Sequence, residues 1–467
     1  MLVVISDLHF EEEQSDAIPA AQGHAEVNFS RNLPPRLFRN WVAHLAAEAV
    51  RTQATRLDLV LAGDLFDIHR TSLWFSDNPD AIRPYQTGEQ IDVKLEALVL
   101  RILAAIAREE PVAEALGIFR QLASGFYSAA ERRAFPVPVQ LHYVPGNHDR
   151  LLNATAEIRR ATRELLGLTG GGEPFDHVLT FEAQQALVRH GHEYDRYNFS
   201  REFEGDETIP IRLPREIYAQ APFGDFATID VASRLPYEFR NYHTVERIRS
   251  DIVLRTVYLR LLEFDDLRPQ SALLNFLLNI PDAIVDAVTV WRTIEPVIRR
   301  ILESVHDNTF LEMWLERMDK KWRLDAIDVV QTALALRSWR LAGIPLGLAQ
   351  FVANTALSNW REQEKPETYA SREEAIRNGH YRFLIAGHTH RPATELLAHD
   401  SGGERYYINT GTWRNRVPST VEFSAFGRLK AMTYVTLYGP EEDPGRDGAG
   451  GKVRSFDFWS GVTQRWE

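Results

Sequence analysis

Short apolar runs alternate with helix-period segments in the first part of the chain. The runs lie at residues 2–5, 57–62 and 139–144, and the first is rich in β-branched side chains, as buried strands are. Between the first two runs, Leu37, Trp41 and Leu45 recur at four-residue spacing, which predicts an amphipathic helix. Apolar strands connected through helices are typical of a parallel sheet, so we expect an α/β fold.

The pattern changes between residues 196 and 372. Glycine becomes rare, and apolar side chains recur at helical spacing, as at Leu254, Tyr258 and Leu261. Strand-like runs return afterwards, near residues 381–386, 406–411, 432–437 and 453–459. We therefore predict a core formed by residues 1–195 and 373–467, interrupted by a large helical insertion at residues 196–372.

The most apolar part of this predicted insertion is residues 272–290. Asparagine, proline and aspartate interrupt it, whereas a transmembrane helix needs about 20 mostly apolar residues. A buried or interfacial helix is therefore favoured over a membrane span. Peripheral contact of the insertion with a membrane, and a homodimer formed through its apolar helices, are left as open alternatives.

Composition narrows the classes of function. The formal net charge of -12 argues against a general nucleic-acid binder, although a local basic groove stays open. The absence of cysteine excludes disulfides, iron–sulfur clusters and thiolate zinc sites, so any metal must be held by His, Asp, Glu or Asn. Because a candidate ligand stands at residue 7, we expect no cleavable signal peptide before it and a cytoplasmic protein.

Polar side chains suited to a metal follow five predicted strands, at residues 2–5, 57–62, 139–144, near 186–190 and 381–386. They are Asp7 with His9, Asp64, Asn147, His192, and His388 with His390. Because binding sites in α/β sheets form at the carboxyl ends of strands, we expect these side chains to lie together. They are too many for one ion and suit two ions of Mn, Fe, Zn or Ni type. Two ions about 3.5–4 Å apart can bind both the attacking and the leaving oxygen of a phosphoryl displacement.

The motifs around these residues resemble those of the calcineurin-like metallophosphoesterase family. The matching motifs are Asp7-Leu-His9, Gly63-Asp-Leu-Phe-Asp67, Gly146-Asn-His-Asp149, Gly191-His192 and Gly387-His-Thr-His390. Each motif alone is common, but the ordered set is specific. The resemblance covers the core and not the insertion. It implies a four-layer α/β/β/α sandwich of two mixed sheets.

The resemblance also implies a role for each candidate ligand. Two divalent metal ions are expected, with Mn²⁺ favoured over Fe, Zn or Ni. The first would be held by Asp7, His9 and His390, and the second by Asn147, His192 and His388. Asp64 would bridge the two ions. A hydroxide bridging the ions would then attack phosphorus in line.

Four further side chains near the motifs receive expectations. By the resemblance, His148 would contact the substrate phosphate and assist the leaving group, and Asp149 would orient His148. Asp67 could either orient a metal ligand or cap the segment that follows it, and the sequence does not decide between these roles. His190 alternates with His192 along its strand, so we expect it to be structural.

The resulting prediction is a dinuclear metal-dependent hydrolase of phosphate mono- or diesters. A DNA nuclease of the same superfamily is an alternative, but the acidic charge and the position of the insertion count against it. A metal-dependent scaffold without catalysis is a third hypothesis, against which the complete ligand set and His148 argue. The insertion either shapes the substrate pocket or folds on its own core. Arg391, Arg414 and Arg416 lie near or after the last motif. Each could bind the substrate phosphate or could simply be a surface arginine.

Overall fold

The structure is a computed structural model, and it contains mixed β-sheets with helices packed against them. The residues that it describes are 1–21, 23–76, 78, 80–86, 91–128, 133–263, 266–268, 273–278, 286–305, 309–310, 313, 365–421, 425–443 and 455–463.

The strands of the described chain fall mostly before residue 190 and after residue 382. They are β1 (Leu2–Ile5), β2 (Leu57–Ala62), β3 (Phe126–Ser128), β4 (Arg133–Ala134), β5 (Val139–Val144), β6 (Val178–Phe181), β7 (Ala186–Arg189), β8 (Leu267–Arg268), β9 (Phe383–Ala386), β10 (Ala393–Asp400), β11 (Gly403–Asn409), β12 (Asn415–Pro418), β13 (Leu429–Leu437) and β14 (Phe456–Thr463).

The described helices lie between the first strands and throughout the middle of the chain. They are α1 (Pro35–Arg51), α2 (Leu73–Ser76), α3 (Val93–Ile106), α4 (Glu110–Ala123), α5 (Ala156–Leu166), α6 (Arg215–Ala219), α7 (Phe223–Phe226), α8 (Arg234–His243), α9 (Val245–Ser250), α10 (Ile252–Glu263), α11 (Leu273–Leu278), α12 (Ala287–Val305), α13 (Pro366–Ala370) and α14 (Glu374–Arg377). A π-helical stretch, Ala227–Ser233, joins α7 to α8.

The first sheet combines parallel strands from the start of the chain with antiparallel strands from its end. Its order is β5-β2-β1-β13-β12-β8, and β14 pairs with β13. Strands β5, β2 and β1 are parallel, whereas β13 runs antiparallel to β1. The edge strand β8 belongs to the middle segment and pairs in parallel with β12.

The second sheet is also mixed. Its order is β10-β11-β9-β7-β6, in which β11, β9 and β7 are parallel and β10 and β6 form antiparallel edges. A small antiparallel pair, β3 with β4, lies apart from both sheets. The predicted α/β class is therefore confirmed.

The two sheets share one hydrophobic core. Leu2 and Val4 of the first sheet belong to the same buried cluster as Val188 and Ile385 of the second. Because side chains alternate along a strand, Val3 and Ile5 face the other way, into a cluster with α1, α3, α4 and α5. Burying one such side chain contributes about 1.5–3 kcal/mol to the free energy of unfolding. The strands are therefore held firmly by the core, and the positions of their ends are fixed.

The middle segment, residues 196–372, is mainly helical where it is described. Leu254, Tyr258 and Leu261 of α10 are buried in one cluster, which also includes Ile18 and Val417 from outside the segment. The segment therefore packs directly on the rest of the chain. Residues 314–364 of the predicted insertion lie outside the described residues. No described helix combines the length and the apolarity that a membrane crossing requires.

Candidate metal centre

Five loops that follow strands converge on one place. The loop after β1 is tied to the loop after β2 by hydrogen bonds from Asp7 N to Gly63 O (3.0 Å) and from His9 N to Asp64 O (2.9 Å). The loops after β7 and β9 are tied by Gly387 N, which donates to His190 O at 2.8 Å. The carboxyl ends of parallel strands in both sheets thus lie together, as expected for an α/β site.

The backbone of these loops is strained where the polar side chains stand. Five non-glycine residues among them have φ between 44° and 69°, namely Asp7, His9, Asp64, His388 and His390. This left-handed conformation costs on the order of 1–3 kcal/mol for each such residue. Strained residues cluster at functional sites because the surrounding structure must hold them there. The strain therefore marks this loop cluster as a candidate functional site.

Asp7, His9, Asp64 and His390 form what we term the first ligand group. Each offers one ligand atom, and these atoms all lie within 4.8 Å of one another. His390 Nε2 lies 2.9 Å from His9 Nε2 and 3.2 Å from Asp7 Oδ1. His9 Nε2 lies 3.8 Å from both Asp7 Oδ1 and Asp64 Oδ2. Atoms bound to one ion at about 2.0–2.2 Å have comparable separations, so this group fits a divalent metal.

Asp64, Asn147, His190 and His388 form the second ligand group. His190 Nε2 lies 3.1 Å from Asp64 Oδ2 and 3.2 Å from Asn147 Oδ1. Asp64, His190 and His388 can also place their ligand atoms within 4.8 Å of one another. Because Asp64 Oδ2 is the oxygen that approaches both His9 and His190, one carboxylate oxygen serves both groups.

His190 replaces His192 in this arrangement, which corrects our expectation for both residues. His190 Nδ1 faces the Ala62 carbonyl at 2.9 Å, and a carbonyl only accepts, so Nδ1 carries the proton. Nε2 then faces Asp64 and Asn147, and it becomes a metal ligand when it gives up its own proton. His192 instead lies among aromatic rings, 5.8 Å from the ring centroid of Tyr218, and belongs to none of the potential metal-binding groups among the described residues.

Asp67 orients His148, a role that we had expected for Asp149. Asp67 Oδ1 lies 2.9 Å from His148 Nδ1, and Asp67 Oδ2 lies 3.0 Å from His9 Nδ1. Asp149 accepts instead from the backbone N–H groups of Leu65 (2.8 Å) and Gly146, so it ties the loops after β2 and β5 together. The carboxylate that orients His148 is therefore the last residue of the motif after β2.

His148 stands at the open side of the centre. Its side chain is 16% exposed, and its ring centroid lies 4.8 Å from that of His9. Its backbone N–H donates to Asp64 Oδ1 at 2.8 Å. Because Asp67 only accepts, the Nδ1 of His148 carries a proton and Nε2 is the nitrogen that can exchange one.

Charge is distributed so that the centre favours an added cation. Burial raises the pKa of Asp7, Asp64 and Asp67, but the neighbouring imidazoles outweigh this effect and hold each pKa below its ordinary value. Burial lowers the pKa of His190, yet the Asp64 carboxylate prevails and raises it to about 10. In the absence of a cation, a proton on His190 thus balances Asp64, and a bound metal ion would displace that proton.

For two titratable residues outside the ligand groups, His192 and Asp149, no neighbouring charge outweighs the effect of burial on the pKa. Burial lowers the pKa of His192 to about 3, against the opposite effect of Glu193. Burial raises the pKa of Asp149 to about 6, together with the charge of Asp64. At neutral pH His192 is therefore a neutral imidazole, and Asp149 keeps its proton to a higher pH than an ordinary carboxyl does. Their positions, and not their pKa values, leave them outside the two ligand groups.

Buried polar atoms that lack a regular hydrogen bond provide a further test of whether a metal fits. His388 Nδ1 is buried and has no hydrogen-bond partner, and Asp64 Oδ2 is buried with ion pairs to His190 and His9 but no hydrogen bond of regular geometry. An unsatisfied buried polar group costs about 1–3 kcal/mol, and more when it is charged. A divalent cation between these atoms would satisfy both. The nitrogen and oxygen donors also match the preferences of first-row metal ions, so the residues present fit a metal site.

The arginines considered as phosphate ligands are placed differently from one another. Arg414 is buried and bonds to Asp266 Oδ1 at 2.9 Å and to Glu11 Oε1 at 3.1 Å, so it holds two buried carboxylates. Arg391 is exposed and Arg416 is half-buried. Among the three, Arg414 is thus committed to structural ion pairs.

Comparisons of the chain with protein-family models, with curated proteins and with solved structures found no match. The assignment of a function therefore depends on the residues and the geometry of this centre.

Proposed function

We propose that this chain is a dinuclear metal-dependent hydrolase of phosphate esters, of the calcineurin-like metallophosphoesterase type. The observation that supports the proposal most is that the two ligand groups share Asp64 Oδ2 at the ends of strands from both sheets. The two facing sheets with helices on their outer faces would correspond to the four-layer α/β/β/α sandwich of that family.

The first ion would be held by Asp7, His9 and His390, and the second by Asn147, His190 and His388, with Asp64 shared. When bound, two divalent ions would supply Lewis acidity, neutralising phosphate charge and lowering the pKa of a water nucleophile. The nitrogen- and oxygen-only donor set favours Mn²⁺, Fe, Zn²⁺ or Ni²⁺.

His148 would move the proton that the leaving group requires. Its Nδ1 is held by Asp67 at 2.9 Å, which fixes the ring and supports the positive charge that forms when Nε2 is protonated. A positioned imidazole of this kind contributes typically about 10²–10⁴-fold to the rate of a hydrolysis. The partial exposure of His148 leaves its ring accessible to a substrate.

An assay of the Mn²⁺-loaded protein tests this proposal. We expect turnover of p-nitrophenyl phosphate or bis(p-nitrophenyl) phosphate, and a loss of about 10²–10⁴-fold in kcat in His148→Ala. His142→Ala is the matched control, because His142 also pairs with an aspartate, Asp58 at 2.9 Å, but lies in β5 outside both ligand groups. This control should retain activity.

Other outcomes would separate the remaining hypotheses. Preferential cleavage of single-stranded DNA over both small esters would indicate the nuclease. Metal binding without hydrolysis of any substrate, in Mn²⁺, Fe²⁺, Zn²⁺ and Ni²⁺ alike, would contradict the enzyme proposal and favour a scaffold. Equal activity in His148→Ala would overturn only the role given to His148.

A further inference from the structure

Two residues in the loop that follows β7, Asp195 and Asn198, connect the second ligand group to the middle segment. Asp195 Oδ2 lies 3.0 Å from His388 Nε2 and also accepts from Asn198 Nδ2 at 2.8 Å. Asn198 Oδ1 in turn accepts from Asn147 Nδ2 at 3.3 Å. The hydrogen bonds therefore run unbroken from His388 through the Asp195–Asn198 pair to Asn147.

This chain of hydrogen bonds determines which atoms of the two ligands face the metal position. Because the Asp195 carboxylate only accepts, His388 carries its proton on Nε2 and keeps a lone pair on Nδ1. That Nδ1 is the buried atom without a hydrogen-bond partner. On the other side, Asn198 engages the amide nitrogen of Asn147, which leaves Asn147 Oδ1 towards His190 Nε2 at 3.2 Å.

The Asp195–Asn198 pair is itself held in place. Asp195 Oδ1 accepts from Tyr197 N at 2.8 Å, and Tyr197 O accepts from Gly224 N at 2.8 Å. A side chain at Gly224, in α7, would overlap Asn198 Oδ1, so this helix must approach the pair through glycine. The position of the pair is thus coupled to the packing of the middle segment.

We propose that Asp195 and Asn198 are positioning residues for the second divalent cation, acting through His388 and Asn147. The inference rests on the proposed dinuclear function and deepens it, because it makes occupancy of one metal site depend on the middle segment. Partners of this kind, which orient a metal-bound histidine, typically change metal affinity by about 10–100-fold when they are replaced. Among the described residues, the ligands that Asp195 and Asn198 bond to are His388 and Asn147, both of the second group.

Titration of the full chain with Mn²⁺ tests the inference, with binding followed by calorimetry and by the electron paramagnetic resonance signal of coupled against isolated Mn²⁺. The wild type should bind two ions. In Asp195→Asn, which keeps the shape but loses the charge, the second ion should bind about 10–100-fold more weakly while the first is unchanged. Asn198→Ala should shift the second ion in the same direction, with a smaller effect.

Asp58→Asn is the matched control, because Asp58 Oδ1 lies 2.9 Å from His142 Nε2 in a similar aspartate–histidine pair away from the centre. It should bind both ions as the wild type does. If Asp195→Asn is unfolded in EDTA, the Mn²⁺ affinities of Asn198→Ala alone test the inference. Wild-type affinity for both ions in the folded variants would overturn the inference. A wild type that binds fewer than two ions would overturn it together with the dinuclear site, whereas two ions without hydrolysis would overturn the proposed function alone.

Discussion

The two ligand groups differ in the parts of the chain that hold them. In the first group, the outer hydrogen bonds come from loops of the two sheets. Asp67, after β2, orients His9 at 3.0 Å, and Ser6, after β1, donates to Asp7. Ser6 is supported in turn by Thr410, after β11, at 2.6 Å. The described outer partners of Asp7 and His9 therefore lie outside the middle segment.

The second group depends on two residues at the boundary of the middle segment, Asp195 just before it and Asn198 within it. Asp195 and Asn198 orient His388 and Asn147, and α7 packs against Asn198. The contrast teaches that loops of the two sheets orient the first ligand group, whereas the orientation of the second ligand group depends on how the middle segment packs. Changes in the segment should therefore act on one metal ion before the other.

Removing Asp64, the ligand shared by both groups, should have the largest effect on metal binding and turnover. It should also abolish the difference between the two groups, because both lose a ligand. Asp64→Ala takes an oxygen from both groups, so both ions should be lost and kcat/KM should fall by more than the about 10–100-fold typical of an outer partner. Metal content per chain and turnover of a chromogenic ester measure this. Two tightly bound ions in Asp64→Ala would show that no ligand is shared.

Asp67→Asn should affect the first group and His148 together. It removes the charge that orients both imidazoles, so we expect kcat to fall by about 10²–10⁴-fold while the second ion stays bound. Asp149→Asn is the comparison, because Asp149 contacts backbone N–H groups and neither imidazole. A larger loss of kcat in a folded Asp149→Asn variant would restore Asp149 as the residue that orients His148.

The third prediction concerns the second group alone. His190→Ala should weaken the second ion by at least about 100-fold and leave the first ion bound, since the side chain contacts Asp64 and Asn147. His192→Ala is the matched control two residues away and should keep both ions. Mn²⁺ binding to the two variants, measured side by side, distinguishes them. If His192→Ala weakened the second ion more than His190→Ala does, the assignment of His190 to the second ligand group would be wrong.

Much of the first group could be predicted from sequence because its signals are local. Apolar strands followed by polar residues place Asp7, His9 and Asp64 at strand ends, and ends of parallel strands meet. Gly146 fits the same logic, since a side chain there would overlap Asp64. The packing of two sheets face to face follows from strands such as β2, which is buried along its whole length.

The second group was predicted less well for two physical reasons. The expectation separated His190 from His192, although residues two apart in an extended strand share a face. The two differ in the structure because β7 ends at Arg189 and Gly191 turns the chain between them with φ 102°. The pairing of Asp195 with His388 joins residues 193 positions apart and depends on how the middle segment packs. No local pattern in the sequence carries that information.

The smallest expected effect tests the link between the two ends of the middle segment. Glu373, where the chain returns from the segment, accepts from Tyr194 Oη at 2.6 Å and pairs with Arg189 Nη1 at 3.2 Å. Burial outweighs these partners and raises the pKa of Glu373 from 4.5 to about 7. The folded state therefore binds the extra proton, and its stabilising effect is present below about pH 4.5 and lost as pH rises through about 7.

Glu373→Gln is neutral at every pH, so its free energy of unfolding should rise relative to that of the wild type between about pH 4.5 and 7 and level off above. The change is about 1.4 kcal/mol for each pH unit within the window set by the pKa. Urea unfolding in EDTA at several pH values measures it, with the exposed neighbour Glu374→Gln as the control that should run parallel to the wild type. Parallel curves for Glu373→Gln would show that the contact between the segment's two ends, beside the second ligand group, does not carry this pH dependence.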